Sequence, residues 1–244
     1  MNGAKFRRAT RWLGFGLAGA AAAYGVYVGA TWLRFGRGKR PSRPDEVDDL
    51  LDLFMPDYEV VERHHVKVNA SADITFSTAC AMDLQDSGLA RVIFKTRELL
   101  LGGKAQRDTL PRGLLAQTKA LGWTVLTENP GREIVMGAVA QPWKGNVRFQ
   151  GVAPDEFYEF HEPDYVKIAW TLRVDPNGPE NSVFRTETRA VCTDAEARAK
   201  FRRYWAFLSP GIILIRWLSL GPLKKAAEYR ARKRQRDREA ALAL

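Results

Sequence analysis

Cysteine is nearly absent from this chain. Cys80 and Cys192 are the only two in 244 residues, too few for a disulfide framework and without the paired Cys/His spacing of a zinc site. Two isolated thiols leave the redox compartment open. Histidine is as scarce, at His64, His65 and His161. There is no phosphate-cradling glycine loop, no nucleophile elbow and no internal repeat. Asp/Glu pairs are scattered and form no acid–base constellation. No metal set and no cofactor site follow from these residues.

Acid is missing where base is abundant. Residues 1–43 hold nine Lys/Arg and no Asp/Glu, and residues 224–244 hold eight Lys/Arg against three acids. With +9 and +5 at the ends and +10 overall, the stretch 44–223 carries −4. A nucleic-acid module places its basic residues on the folded face that docks. The body here is mildly acidic, so nucleic acid is not the expected partner despite a pI near 9.8.

Between the two N-terminal basic clusters runs Leu13–Leu33, about 21 residues without a charge, the length that crosses a bilayer core as a helix. Trp12 and Trp32 flank it, where interfacial aromatics belong. A retained single-pass anchor is the expected reading. A cleaved signal peptide, with Val28-Gly29-Ala30 before Thr31, and a buried soluble helix are its rivals. Four Lys/Arg precede the run and five follow it, so the side of the membrane that holds the body is not determined. Ala21, Gly25 and Gly29 recur every fourth residue, a face through which two copies can pair as a homo-oligomer. The plainer account is that Gly and Ala are common in this segment.

The chain divides into an anchor with basic flanks at 1–36, a linker and short amphipathic helix at 37–57, a body at 58–222 and a basic tail at 223–244. Asp45–Phe54 reads as one amphipathic helix with Val47, Leu50, Leu51 and Phe54 on a face. A strand near Glu59–Ala70 puts His64, Val66, Val68 and Ala70 on one side. Ser71 caps a helix towards Asp83, a second helix spans Leu89–Leu101, and a third covers Pro111–Leu121. Trp123–Glu128, a Pro130-Gly131 turn and Glu133–Gln141 make a hairpin. Gly145–Val152 is a weaker strand, and Phe157–His161 is open between strand and helical turn. Tyr165–Val174 and Ser182–Cys192 are clear strands. Thr193 or Asp194 caps a long helix that Ser209-Pro210-Gly211 interrupts, since proline removes a donor and clashes one turn back. This is an α+β layout with helices packed on one curved sheet.

Several stretches resemble the START-like (SRPBCC) helix-grip superfamily of polyketide cyclases, aromatase-like proteins and lipid carriers, in a bacterial, membrane-anchored branch. They are Pro130-Gly131-Arg132-Glu133-Ile134-Val135-Met136-Gly137, Tyr165-Val166-Lys167-Ile168-Ala169-Trp170, Thr186-Glu187-Thr188-Arg189, and Phe201-Arg202-Arg203-Tyr204-Trp205 with Ser209-Pro210. The resemblance covers roughly residues 58–225. It implies a curved antiparallel sheet wrapped around a long C-terminal helix, with a cavity between them. The anchor and the basic tail are not general features of that superfamily.

With the strand phases above, His64, Val66, Val68, Ile168, Trp170, Leu172, Phe184, Thr186 and Thr188 point inward, and Phe201, Trp205 and Leu208 close the space. Such a wall suits a hydrophobic small molecule or membrane lipid; a solid core is the alternative. His64 is the inward titratable group and the weak catalytic candidate. No carboxylate is expected beside it, Glu187 faces outward, and His65 points away. The Thr186–Arg189 run with Arg132 and Glu133 reads as cross-strand ion pairing on an outer face, worth little. Ile212–Leu220 is apolar all round except Arg216, an arginine placed to snorkel towards a membrane interface. The tail then either lies on the bilayer or frays. The expected function is a membrane-anchored binder of a hydrophobic molecule; a cyclase- or hydrolase-like enzyme and a solid-cored adaptor are the alternatives.

Overall fold

The computed structural model describes residues 3–37, 43–82 and 111–242. Its strands are β1 (Val60–Val68), β2 (Thr124–Asn129), β3 (Glu133–Ala140), β4 (Val166–Pro176) and β5 (Ser182–Cys192). They form one antiparallel sheet in the order β1-β5-β4-β3-β2. The helices are α1 (Gly3–Arg34), α2 (Asp49–Asp52), α3 (Ala72–Ala81), α4 (Leu114–Ala120), α5 (Pro154–Phe157) and α6 (Ala195–Leu242). The helix expected at Leu89–Leu101 lies outside the described residues.

Period-two patterning fixes the register. Trp170 stands opposite Thr188, Val174 opposite Phe184, and Phe184 opposite Val66. A one-residue slip would turn every one of these to the other face. Even-numbered positions of β1, β3, β4 and β5 therefore share the side covered by α3, α4 and α6. There Val68, Ile134, Met136, Trp170, Leu172, Val174 and Phe184 pack with Ala79, Leu220, Leu223 and Ala227. Asp194 accepts from the Ala197 amide at 2.8 Å and starts α6.

The odd face is covered too. A strap formed by a 3-10 turn at Pro44–Glu46 and by α2 lays Leu51 and Met55 over Val135, Val139 and Ala169, and Phe157 of α5 completes this second cluster. Asp48 caps α2 through the Leu51 amide at 2.8 Å. All eight residues of β3 are buried, because the strand is packed on both faces. Leu126 sits in a bulge of β2, and a Cβ at Gly137 would meet its Cδ1 at 2.5 Å, so any side chain there must displace the Leu126 side chain.

Three expectations change, and the segment left open at Phe157 is settled. Asp45–Phe54 is not one helix but a 3-10 turn followed by the four-residue α2, because Asp48 prefers to cap rather than continue. Gly145–Val152 contributes only a bridge between Gln150 and Val139. Phe157 ends the short helix α5, begun by Pro154. The helix does not stop at Ser209-Pro210-Gly211: α6 runs unbroken through Pro210 and Pro222 to Leu242. It also crosses the expected boundary at 222/223, where Leu223 and Ala227 enter the core, Arg230 donates to Thr78 and Arg234 pairs with Asp73.

α1 packs against α6 around Pro210. It lies antiparallel beside α6: Tyr24 meets Phe207, Tyr27 meets Ser209, Trp32 meets Arg202, and Phe35 meets Phe201. The Tyr24 hydroxyl donates to the Phe207 carbonyl at 2.6 Å, beside the turn where proline withdraws a helical donor. Tyr24→Phe should cost about 1 kcal/mol, read as a lowered melting temperature of the full chain in detergent; an unchanged transition would show that the helix does not need this donor.

Candidate functional site

The even face carries a polar island between two apolar regions. Glu62, His64 and Val66 are successive even positions of β1, so the two titratable side chains share one side. Glu62 stands opposite Thr188 and His64 opposite Thr186 on β5. Arg216 of α6 lies close enough to both Glu62 and His64 for its charge to act on them. The His64 Nε2 atom is 3.9 Å from a Glu62 carboxylate oxygen, too far for a hydrogen bond. His64 Nε2 and Thr188 Oγ1 are buried with no hydrogen-bond partner among the described residues.

Electrostatics fix the charge states. Burial lowers the imidazole pKa of His64 below its usual value, and the Arg216 and His65 charges push the same way, so His64 is neutral at neutral pH. Burial raises the Glu62 carboxyl, opposed by Arg216. The island thus holds a carboxyl group, a neutral imidazole, a hydroxyl and a guanidinium. It can grip a polar group, and its imidazole can accept a proton. The thiols are poor nucleophiles: burial pushes Cys80 up to about 11 and Cys192 higher still. Among the described residues no three His, Cys, Asp or Glu side chains converge on a metal position.

Two expectations for this site are corrected. A carboxylate does share the His64 face: it is Glu62, two residues earlier in the same strand, and the period that placed Val66 and Val68 inward places it inward as well. Arg216 does not reach away from the domain; it follows buried Ser209 by seven residues and precedes buried Leu220 by four, which turns it to the sheet. That spacing was readable in the sequence.

The other expected site residues fall into separate groups. Val66, Val68, Trp170, Leu172 and Phe184 belong to the cluster under the second half of α6. Ile168, Phe201 and Trp205 pack with Val60, Val166 and Ala190 at the start of α6. Leu208 belongs to neither cluster, though it is half-buried. His64, Thr186 and Thr188 lie between them on β1 and β5.

The odd face holds charges instead. Glu187 takes two bonds from Arg63, at 2.8 and 2.9 Å, and one from Arg189 at 2.7 Å. Asp175 joins Arg173 and Arg185, and Arg185 also pairs with Asp45 of the strap. Glu187 does face outward, but the pairing is not the exposed kind: the strap buries Glu187 and Arg189. A cavity of about 30 Å³ remains there, bordered by Asp48, Arg63, Thr171, Arg173, Arg185 and Glu187, room for one water.

No family model matches the sequence, and no curated protein matches it. Similar solved structures include a norcoclaurine synthase of Thalictrum flavum, at 12% identity over 72% of this chain and 96% of that one, TM-score 0.32. The Zhui aromatase/cyclase from Streptomyces sp. R1128 is 15% identical over 68% and 94%, TM-score 0.25. A START superfamily protein from Mycobacterium smegmatis is 11% identical over 71% and 97%, TM-score 0.23. Likenesses of this degree carry nothing about ligand or reaction. The chain's own order of strand, helices, antiparallel strands and long terminal helix is the α+β layout expected of it, one antiparallel sheet covered by a long C-terminal helix.

Proposed function

We propose that this protein binds a hydrophobic small molecule or lipid between its sheet and α6, at a membrane that α1 anchors it to. The observation that supports this reading is the island of Glu62, His64, Thr188 and Arg216, with two unpartnered buried atoms, set between apolar clusters. An amphiphile complements that arrangement: its polar end meets the unpartnered groups, and its apolar body gains about 25 cal/mol per Å² withdrawn from water. The described residues of this face are packed, so uptake parts α6 from the sheet. The uncharged run Leu13–Leu33 supports the anchor, and α1 is exposed at Gly16 and from Ala18 to Val26. By length and composition α6 is also long and apolar enough to cross a membrane, but it is packed on the sheet.

Native mass spectrometry of the full chain, released from detergent, tests the reading. A bound apolar molecule of defined mass is expected, lost in Arg216→Leu. A bare wild-type chain that also takes up no added lipid would leave the adaptor reading standing. The His64–Glu62 proximity favours a second reading, a cyclase- or hydrolase-like enzyme with His64 as base. In that case His64→Ala abolishes turnover and keeps the ligand.

A further inference from the structure

We infer that the outward side of α6 enters the same bilayer as α1, so that the domain is docked on the membrane by two helices rather than hung from one. The inference rests on the anchor reading above. Tyr24 lies near the middle of the uncharged run, nine residues before Leu33, or roughly 14 Å along the helix. Its hydroxyl is bonded to the Phe207 carbonyl, and Tyr27 meets the Ser209 hydroxyl at 3.0 Å. Hydrocarbon around this part of α1 therefore also reaches α6 at Phe207.

The surface of α6 fits that position. Phe207, Leu214 and Trp217 are exposed by 53%, 43% and 62% and recur at seven and three residues, one stripe of the helix. Ser209 and Leu220, turned away from this stripe, are buried. Val26 and Leu33 of α1 are exposed as well, by 74% and 68%. Large apolar side chains exposed along one stripe of a helix mark an interaction site.

Charge selects a lipid surface. No Asp or Glu occurs from Ala197 to Ala227. Exposed Arg203 and Lys225 stand at the two ends of the stripe, and neither makes an ion pair among the described residues. Cations so placed meet anionic headgroups while the residues between them meet acyl chains. At the other end of the helix pair, both Arg202 donors bind the Trp32 carbonyl at 2.9 and 2.7 Å, and the guanidinium stacks on the Trp32 ring at 4.3 Å. An arginine and a tryptophan locked together in this way suit the headgroup level.

Photocrosslinking tests the arrangement. The full chain is reconstituted into phosphatidylcholine vesicles with and without phosphatidylglycerol, with p-benzoylphenylalanine at position 26, 207, 214, 217 or, as a control on α4, 119. Lipid adducts are counted by mass spectrometry, and folding of each variant is checked by circular dichroism. Adducts are expected at 207, 214 and 217 as well as at 26, and not at 119. Arg203→Glu with Lys225→Glu should lower the yield at 214 and 217, by roughly fivefold per cation, only in the anionic vesicles. Adducts at 26 without adducts at 207, 214 or 217 would overturn the docking of α6 while keeping the anchor. Absence at 26 would overturn the anchor itself.

Discussion

Arg189→Ala is expected to destabilise the full chain by about 3–5 kcal/mol, the range for breaking a buried ion pair from one side. Arg189 is 1% exposed. Its guanidinium binds Glu187 at 2.7 Å, Asp52 at 2.5 Å and the Met55 carbonyl at 2.7 Å, and lies 4.7 Å from the centre of the Tyr58 ring. Asp52, Met55 and Tyr58 belong to the strap, so one side chain of β5 ties it to the sheet. Removal leaves Glu187 its two bonds from Arg63, but the Met55 carbonyl loses its donor under cover. The strap should then open first. Hydrogen exchange should accelerate at the Leu51 and Met55 amides before the strands exchange. Arg189→Lys should recover only part of the loss, since an ammonium cannot reach three acceptors with a planar fork. A loss below about 1 kcal/mol would place this network among ordinary surface pairs.

The sheet was legible because its strands obey a local rule. β5 has the bounds expected of it, and β4 differs by one or two residues at its ends. In both, alternation of side chains decides which residues meet the helices. The strap was not legible, because nothing local says that acids at Asp45 and Asp52 will find arginines of β5 140 and 137 residues away. The same non-local fact turned an apparent surface ion-pair pattern into a buried one. Proline misled at α6 for a related reason. Its local effect is to break a helix, but Tyr24 and Tyr27 approach from α1 and supply contacts at that turn. For the candidate site, the aliphatic wall followed from strand phase. Its polar centre needed Glu62, which the same phase placed but attention to apolar positions passed over. It also needed Arg216, whose inward direction follows from its spacing to Ser209 and Leu220.

Glu133→Gln should make the full chain more stable than wild type in mild alkali. Glu133 opens β3 with 6% exposure, its Oε1 has no hydrogen-bond partner among the described residues, and Asp48 of the strap is its neighbour. Burial, together with the Asp48 carboxyl, pushes Glu133 up to about 8, against the pull of Arg173. A carboxyl whose folded pKa stands above its unfolded value of 4.5 holds its proton better when folded. Its contribution to stability is therefore complete below pH 4.5 and lost as the pH rises through 8. Wild type should lose on the order of 3–5 kcal/mol across that window from this group alone, an upper bound because the strap can lift and hydrate the carboxylate. The glutamine variant cannot ionise, so the difference between the two melting profiles isolates Glu133 from every other titrating group. The loss in wild type should appear as faster exchange at the Leu51 amide, because Asp48 both caps α2 there and repels the new charge. Parallel profiles from pH 5 to pH 9 would mean that Glu133 is already ionised, with Arg173 as its counterion.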